Sequence, residues 1–430
     1  MDVTKLTMWL RQRTSLLLTN PEFLRLWAGL SISVLGDWVG HMALTLHVYN
    51  VTGSASALAT LTIVRSLPVL LFGPVAGVTA DRFSRRRIMI WSDIARALLY
   101  ALLPFATNFP QIVTIAFLTS SISAFFRPSL TALMPDLVKK DQLLEANSLL
   151  FSTSNLMMIV GPALGGFMVG FLGQAWAFRF DAVTFLASAL AIFFVIEKWQ
   201  RRDTARETQG AKSWIKDLAW GLGYIVRQRA VAVMTIEMMI MALGMVAVTV
   251  LEVIFVKSIL GAGDEGYGLL ISMAGIGALI GSLLAGWVGK KVSASALFCW
   301  TGVLGGLTFF LYANIRFFFL TLIIVLVQMI VFSVGQVAAQ ALLQQLVPDE
   351  LRGRVFAQII TGYTVTHLLG AGLWGTLIDR IGVIPVFNIA GGVATLAGLF
   401  ILANLSLLRG EETRVLASAK AESSIAVEPV

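Results

Sequence analysis

The stretch GVTADRFSRRR, residues 77–87, concentrates charge in a chain that otherwise contains little of it. It holds one acid, Asp81, and four arginines, whereas charged residues make up 13% of the whole chain and apolar residues 57%. The mean hydropathy is +0.83. A chain of this composition dissolves in lipid rather than in water. The sequence therefore predicts an integral membrane protein, with the quoted stretch in a turn at the membrane surface.

Twelve stretches are apolar and long enough to cross a bilayer, which needs roughly 20 helical residues. They lie at about 24–50, 56–80, 88–107, 111–134, 145–171, 176–196, 230–257, 266–289, 293–313, 316–341, 355–378 and 384–408. The expected fold is all-α, with twelve transmembrane helices in two pseudo-symmetric six-helix bundles around a central cavity. We expect the bundles at 1–196 and 230–408, a linker with an interfacial helix at 197–229, and a disordered tail at 409–430.

The basic residues predict the orientation. Of the 32 lysines and arginines, 25 fall in the N-terminal segment, in the connections that follow even-numbered spans, and at the C-terminal end. Under the positive-inside rule these segments face the cytoplasm. Both termini are therefore expected to be cytoplasmic, in a bacterial plasma membrane. The net charge of +8 then reflects orientation, and no nucleic-acid partner is expected.

The sequence lacks the residues that several classes of protein need for their function. The chain has one cysteine and three dispersed histidines, and it has no Gly-rich phosphate loop. We therefore expect no metal site, no cofactor and no ATP-driven pump, and we do not expect an enzyme. Nothing in the sequence indicates an obligatory protein partner. A membrane-embedded sensor or enzyme is the alternative from another class.

The two halves of the sequence resemble each other. A shift of 209 residues places GGFMVGFLGQAWAF (165–178) over WGTLIDRIGVIPVF (374–387), and it places Asp81 over Lys290. Two related six-helix halves are typical of secondary transporters.

Three stretches resemble the major facilitator superfamily. GVTADRFSRRR resembles its cytoplasmic signature, with Ser84 in place of a usual glycine, and VGPALGG (160–166) resembles the antiporter motif of its exporters. The stretch at 127–149 is similar to the branch that holds macrolide-efflux proteins and siderophore exporters. The resemblance implies export of amphipathic small molecules or drugs by alternating access, with a proton gradient as the driving force. A dedicated siderophore exporter and a lipid flippase are alternatives within the same fold.

The resemblance also implies a cytoplasmic gate. In this gate, Asp81 would approach the amides near Arg352 to Val355, and the neighbouring arginines would pair with Asp136. The candidate gate residues are Gly73, Gly77, Asp81, Arg82, Arg85, Arg86, Asp136, Arg352 and Arg354. Gly73 and Gly77 would permit close helix packing. As an alternative, the arginines of the turn only fix the topology and bind anionic lipid.

The antiporter motif implies a bend in the fifth span that seals an exporter against leakage. Its candidate residues are Gly161, Pro162, Gly165 and Gly166. An ordinary interface of small residues would use the same four side chains.

Charged groups inside the spans are the candidates for coupling, because such groups are costly unless they are paired or face water. Asp37 and Arg65 could pair across neighbouring helices, and Asp37, near His41, is the expected proton-responsive carboxylate. A purely structural ion pair is equally compatible with this spacing. Glu237 and Glu252 could carry a proton or meet a cationic substrate, although Glu252 is expected to reach the lipid headgroups.

A large and sparingly polar cavity would suit amphipathic cargo. Its expected lining residues are Trp38, Asn155, Met158, Gln336, Gln340, Tyr363 and His367. Aromatic and methionine side chains in a membrane helix also serve packing, so this set is a hypothesis.

Overall fold

The computed structural model describes residues 16–196 and 220–425, and no strand occurs within them. The described residues include twelve long helices: α1 (Pro21–Thr52), α2 (Ala55–Arg82), α3 (Arg85–Leu102), α4 (Phe109–Leu137), α5 (Leu143–Phe167), α6 (Gln174–Phe193), α7 (Arg229–Ile254), α8 (Asp264–Val288), α9 (Ala294–Asn314), α10 (Phe318–Leu346), α11 (Asp349–Ile381) and α12 (Val383–Ala403). The prediction of an all-α protein with twelve long helices is confirmed.

Ten of these twelve helices are long and apolar enough to cross a membrane. The other two, α1 and α11, are the longest, and polar and charged residues are spaced along both of them. Large apolar side chains cover the outside of the helices, among them Leu98 at 63% exposure and Leu396 at 67%. Such surfaces are unfavourable in water and natural against lipid tails.

Polar side chains cap the N-termini of several helices. The Asn20 side chain accepts a 3.0 Å hydrogen bond from the Phe23 amide, and Pro21 follows it at the first helical position. Ser84 accepts from the Arg87 amide at 3.3 Å. The serine that replaces the usual glycine of the signature therefore caps α3 and helps to end the charged turn.

The helices form two compact units. One joins the described residues up to 196 with Val256–Ser272, and the other joins 220–255 with 273–425. In the first unit, α1 packs against α5 and α6, and α3 packs against α4 and α6. In the second, α7 packs against α11 and α12, and α9 packs against α10 and α12. The same packing pattern is thus used twice.

Two glycines mark the repeat in the backbone. Gly173 precedes α6 with φ 87°, and Gly382 precedes α12 with φ 84°. A positive φ of this size is readily adopted only by glycine. The separation, 382 minus 173, is 209 residues, the same shift that aligns the two halves of the sequence.

The chain continues beyond α12 as a further helix, α13 (Leu405–Ile425). The expectation of a disordered tail at 409–430 is therefore wrong for the residues up to 425. Leu408 is fully buried, Glu412 is 6% exposed, and Val415 packs against the core of the second unit. These residues recur at helical spacing. Hydropathy alone does not reveal this buried face, because one of its residues is the charged Glu412.

The Glu412 carboxylate holds α13 against the start of α9. Its oxygens accept hydrogen bonds from the amides of Ala294 and Ser295, at 3.0 and 3.2 Å, and from the Ser295 hydroxyl at 2.5 Å. The first amides of a helix have no partner within the helix and favour a negative charge.

We expect Glu412→Ala to lower the stability of the purified protein by about 1–2 kcal/mol, because the amides of Ala294 and Ser295 lose their acceptor, while Ser293 still caps the Ala296 amide. Thermal unfolding in detergent measures this loss. Glu411→Ala is the matched control, since Glu411 pairs with Arg414 at the surface of the same helix. Equal unfolding temperatures for the two variants would contradict the capping role.

Most of the predicted interfacial helix, including Trp214 and Leu218, lies outside the described residues. Residues 220–227 are helical. Within them Ile225 is buried in the core of the second unit, and the Tyr224 hydroxyl donates to the Leu346 carbonyl at 3.2 Å. One face of this part of the linker thus packs on protein, while Leu222 and Val226 on it remain 55% and 72% exposed.

Candidate functional site

The first unit contains a cavity of about 510 Å³. Residues of α1 to α5 line it, and they combine apolar side chains with Asp37, Arg65, Arg96 and Arg127. The Asp37 side chain keeps 46% of its surface exposed. An ionisable group on a membrane helix is favourable when it faces a cavity.

Arg96 lies at the centre of the charges around this cavity. Its guanidinium forms an ion pair with Asp93, one helical turn earlier, and it lies 3.8 Å from an Asp37 carboxylate oxygen. The centroids of the Phe126 and Phe185 rings lie 4.7 and 4.2 Å from the guanidinium carbon. Aromatic faces attract a cation. These contacts hold Arg96 in place between two carboxyl groups.

The expected pair of Asp37 and Arg65 is not the pair that forms. Among the described residues, the cation within ion-pair distance of Asp37 is Arg96. Arg65 lines the same cavity, and its Nη1 is buried without a hydrogen-bond partner from those residues. Helical spacing showed that both groups lie inside neighbouring spans. It could not predict how α3 lies relative to α1, and α3 carries Arg96, the arginine that competes with Arg65.

Asp181 on α6 is part of this cluster, and the sequence analysis missed it. The residue is fully buried, its Oδ1 accepts a 3.2 Å hydrogen bond from Thr184, and its Oδ2 has no hydrogen-bond partner in residues 16–196 and 220–425. The signal was present in the sequence, because Gly36 and Gly40 on α1 leave the space that Thr184 and Asp181 occupy. Two small residues four apart indicate a close helix contact.

The cluster contains more carboxyl groups than cations. Asp37, Asp93 and Asp181 lie near Arg96, and Asp37 and Asp181 also lie near Arg65, so three acids share two guanidiniums. Arg127 lines the same cavity, but it is exposed and lies outside this cluster. Within the part of the chain that the structure describes, four of the five residues have a buried polar atom without a hydrogen-bond partner: Arg65, Asp93, Arg96 and Asp181. Native structures satisfy nearly all buried polar groups. Such a concentration of exceptions is typical of a functional site.

A smaller cavity of about 60 Å³ lies in the second unit. Glu237, Gln336 and Tyr363 line it together with Met238 and other methionines of α7. Glu237 is 3% exposed, and no ion-pair partner for it occurs in the described ranges.

Glu252 does not reach the lipid headgroups, as we had expected. It is 6% exposed, and the fully buried rings of Phe255, Tyr312 and Phe387 pack together close by. The helix continues for five residues beyond α7 as a π-helical turn, Phe255–Ile259. Glu252 therefore lies farther from the helix end than expected.

The remaining cavity candidates are dispersed. His367 stacks on Tyr363 with ring centroids 6.4 Å apart, and Trp38 contacts His41 edge to face. Gln340 is exposed. Trp38, Asn155 and Met158 do not line either of the two cavities above.

The structure brings together some of the candidate gate residues. Arg85 forms an ion pair with Asp136, and Arg86 donates to the carbonyls of Ile192 and Phe193 at the end of α6. Asp81 and Arg82 are exposed.

The expected close packing at the two gate glycines is not found. No described atom lies within 4 Å of a Cβ placed at Gly73 or Gly77. In the second unit, Arg352 pairs with Asp349 at 2.7 Å and donates to the Gln344 carbonyl at 2.6 Å. Arg354 is exposed.

The antiporter motif forms a close helix contact. A Cβ at Gly161 would overlap Trp38, and one at Gly165 would lie 3.0 Å from the Met42 Cβ. Within the same unit, a Cβ at Gly166 would lie 2.8 Å from the Gly268 Cα. Pro162 lies inside α5, and a π-helical turn, Met168–Leu172, follows the motif. The glycines thus serve packing on two sides of α5.

Comparisons with known proteins agree with this architecture. Residues 16–429 match the sequence profile of a family described as transmembrane secretion effectors. The MFS-type transporter YfiS of Bacillus subtilis is 28% identical over 384 residues, which cover 87% of this chain and 91% of YfiS. BacE of the same organism, named for the export of bacilysin, is 27% identical over 79% of this chain and 84% of BacE.

Among solved structures, the nucleoside transporter NupG superimposes with a TM-score of 0.72 at 11% identity, covering 89% of this chain and 98% of NupG. That identity supports the fold alone. The family match extends over nearly the whole chain, and the relatives are transporters rather than enzymes. The chain therefore belongs to the transmembrane secretion effector family of the major facilitator superfamily, whose members are multi-pass membrane transporters.

Proposed function

We propose that this transporter exports amphipathic small molecules from the bacterial cytoplasm in exchange for protons. Export would proceed by alternating access of the two units, with both termini on the cytoplasmic side of the plasma membrane. The distribution of basic residues supports this orientation.

The observation that carries the proposal is the surplus carboxyl group beside the cavity of the first unit. A site that alternates between binding a proton and binding cargo needs a carboxyl group that can be neutralised in either way. Three acids and two guanidiniums provide one such group. The exposed Asp37 side chain connects this cluster to the cavity.

The cavity also suits an amphipathic ligand. Its volume of about 510 Å³ lies within the roughly 300–1,000 Å³ of small-molecule sites. Its walls are mostly apolar, and a few charged groups are placed among them. The relative named as a bacilysin exporter supports the direction of transport and a small-molecule cargo.

Dye transport in proteoliposomes tests the proposal. The purified chain is reconstituted, an acidic lumen is imposed, and uptake of the fluorescent amphipathic dye Hoechst 33342 is followed from outside. We expect uptake to depend on the gradient and to stop when a protonophore collapses it. In Asp37→Asn we expect gradient-driven uptake to fall to the level of protein-free vesicles, because the variant cannot exchange a proton at that position.

The matched control is Asp141→Asn, which removes an exposed carboxylate outside the long helices and should transport like the wild type. Equal dye movement with and without a gradient would contradict proton coupling. Wild-type coupling in Asp37→Asn would show that another carboxyl group carries the proton.

A further inference from the structure

A third cavity, of about 570 Å³, lies in the second unit, away from the charge cluster and from Glu237. The turn between α8 and α9, the end of α10, and α13 enclose it. None of its polar side chains belongs to the candidate coupling residues or to the candidate gate. The cavity therefore calls for a separate explanation.

Its charged lining is strongly basic. Lys290, Lys291 and Arg409 line the cavity, and the carboxylate that lines it is Glu412. That carboxylate is already occupied by the three hydrogen bonds to the start of α9. Within the ranges that the structure describes, none of the three cations forms an ion pair with a carboxylate. The cavity thus offers positive charge to an anion.

Apolar surface continues directly from these cations. Val337 and Leu416 line the same cavity and are 41% and 51% exposed. The Lys291 ammonium lies 4.5 Å from the centroid of the Trp287 ring, and Trp287 is 60% exposed. Tryptophan beside lysine is typical of the boundary between lipid tails and headgroups. A free phosphate ion would meet the cations and leave the apolar surface uncovered.

One further polar group in the cavity lacks a partner. Gln345 lines the cavity, and its Oε1 is buried without a hydrogen-bond donor among the described residues. A ligand hydroxyl could satisfy it. Phosphatidylglycerol combines a phosphate, two headgroup hydroxyls and two acyl chains, so it matches the cations, the amide and the apolar wall together.

We propose that this cavity is a binding site for an anionic phospholipid, with its phosphate at Lys290, Lys291 and Arg409 and its acyl chains along Val337 and Leu416. The site does not depend on the proposed transport reaction. Because α13 supplies Arg409 and Leu416, the bound lipid joins α13 to the turn that precedes α9.

The test uses the full chain, purified in detergent and stripped of native lipid. Palmitoyl-oleoyl phosphatidylglycerol is added, and its binding is measured by native mass spectrometry and by the shift in unfolding temperature. Phosphatidylcholine with the same acyl chains is the second arm, and sodium phosphate is the third. We expect phosphatidylglycerol to remain bound and to raise the unfolding temperature, and we expect neither effect from the other two.

The variant that removes the cations is Lys290→Gln/Lys291→Gln/Arg409→Gln, which should bind phosphatidylglycerol roughly a hundredfold more weakly. Its matched control, Lys139→Gln/Lys140→Gln/Arg380→Gln, removes three exposed cations elsewhere and should bind like the wild type. Leu416→Asp gives a second variant, at a position that is 51% exposed and outside the buried core of the second unit. The added carboxylate should repel the phosphate and reduce binding in the same way.

Equal binding of phosphatidylcholine would overturn the proposal, because the cations would then play no part. An equal effect of inorganic phosphate would show an anion site without a lipid. Wild-type affinity in the triple variant, or in Leu416→Asp should the triple variant not fold, would exclude this cavity as the site.

Discussion

Arg96→Met is expected to destabilise the protein by about 3–5 kcal/mol. Asp93 is fully buried and forms its ion pair with Arg96. Removal of the guanidinium leaves a buried carboxylate without a cation, and the low dielectric of the surroundings makes this costly. The loss of the contacts with Phe126 and Phe185 adds to the effect. Unfolding in mixed micelles with a rising fraction of sodium dodecyl sulfate measures the change.

Arg87→Met is the matched control, because Arg87 is exposed at the start of the same helix. We expect its unfolding curve to stay close to that of the wild type. The double variant Asp93→Asn/Arg96→Met should recover more than half of the lost stability, since it removes the uncompensated charge as well. If Arg96→Met unfolds at the same point as Arg87→Met, the buried ion pair does not contribute to stability.

The sequence predicted the helices well and the partners of the buried charges poorly. Span lengths follow from hydropathy, and the cap at Ser84 and the glycines at 173 and 382 are local signals. Which arginine meets Asp37 depends on how three helices pack, and no local pattern contains that information. The sequence therefore identified Asp37 as a charged group inside a span but paired it with Arg65 instead of Arg96.

Two further residues show where a local argument fails. Asp181 was overlooked because a single acid in an apolar span has no periodic pattern around it, although the glycines of α1 that face it are visible in the sequence. Glu412 was assigned to a disordered tail because α13 has little hydropathy of its own. In both cases, the carboxylate becomes recognisable only together with the helix that it contacts.

The contact between α1 and α6 leads to a prediction about stability: a glycine-to-alanine substitution should destabilise the protein at Gly40 and stabilise it at Gly392. Gly40→Ala adds a Cβ that would overlap the Asp181 carboxylate and lie 2.6 Å from a ring carbon of Tyr100. Overpacking of this kind costs about 1–3 kcal/mol. Gly392→Ala on α12 is the matched control, because no described atom outside its own stretch of helix lies within 4 Å of the added Cβ. There the better helix propensity of alanine should raise stability by up to about 1 kcal/mol.

The unfolding temperatures of the two variants should therefore move in opposite directions, down for Gly40→Ala and up for Gly392→Ala. The double variant Gly40→Ala/Asp181→Ala separates the two neighbours of the new methyl group. If the carboxylate is the main obstacle, the double variant loses less stability than the sum of the losses in Gly40→Ala and in Asp181→Ala. A Gly40→Ala protein as stable as Gly392→Ala would mean that α1 and α6 are farther apart than their described contact, and that Asp181 is not enclosed by α1.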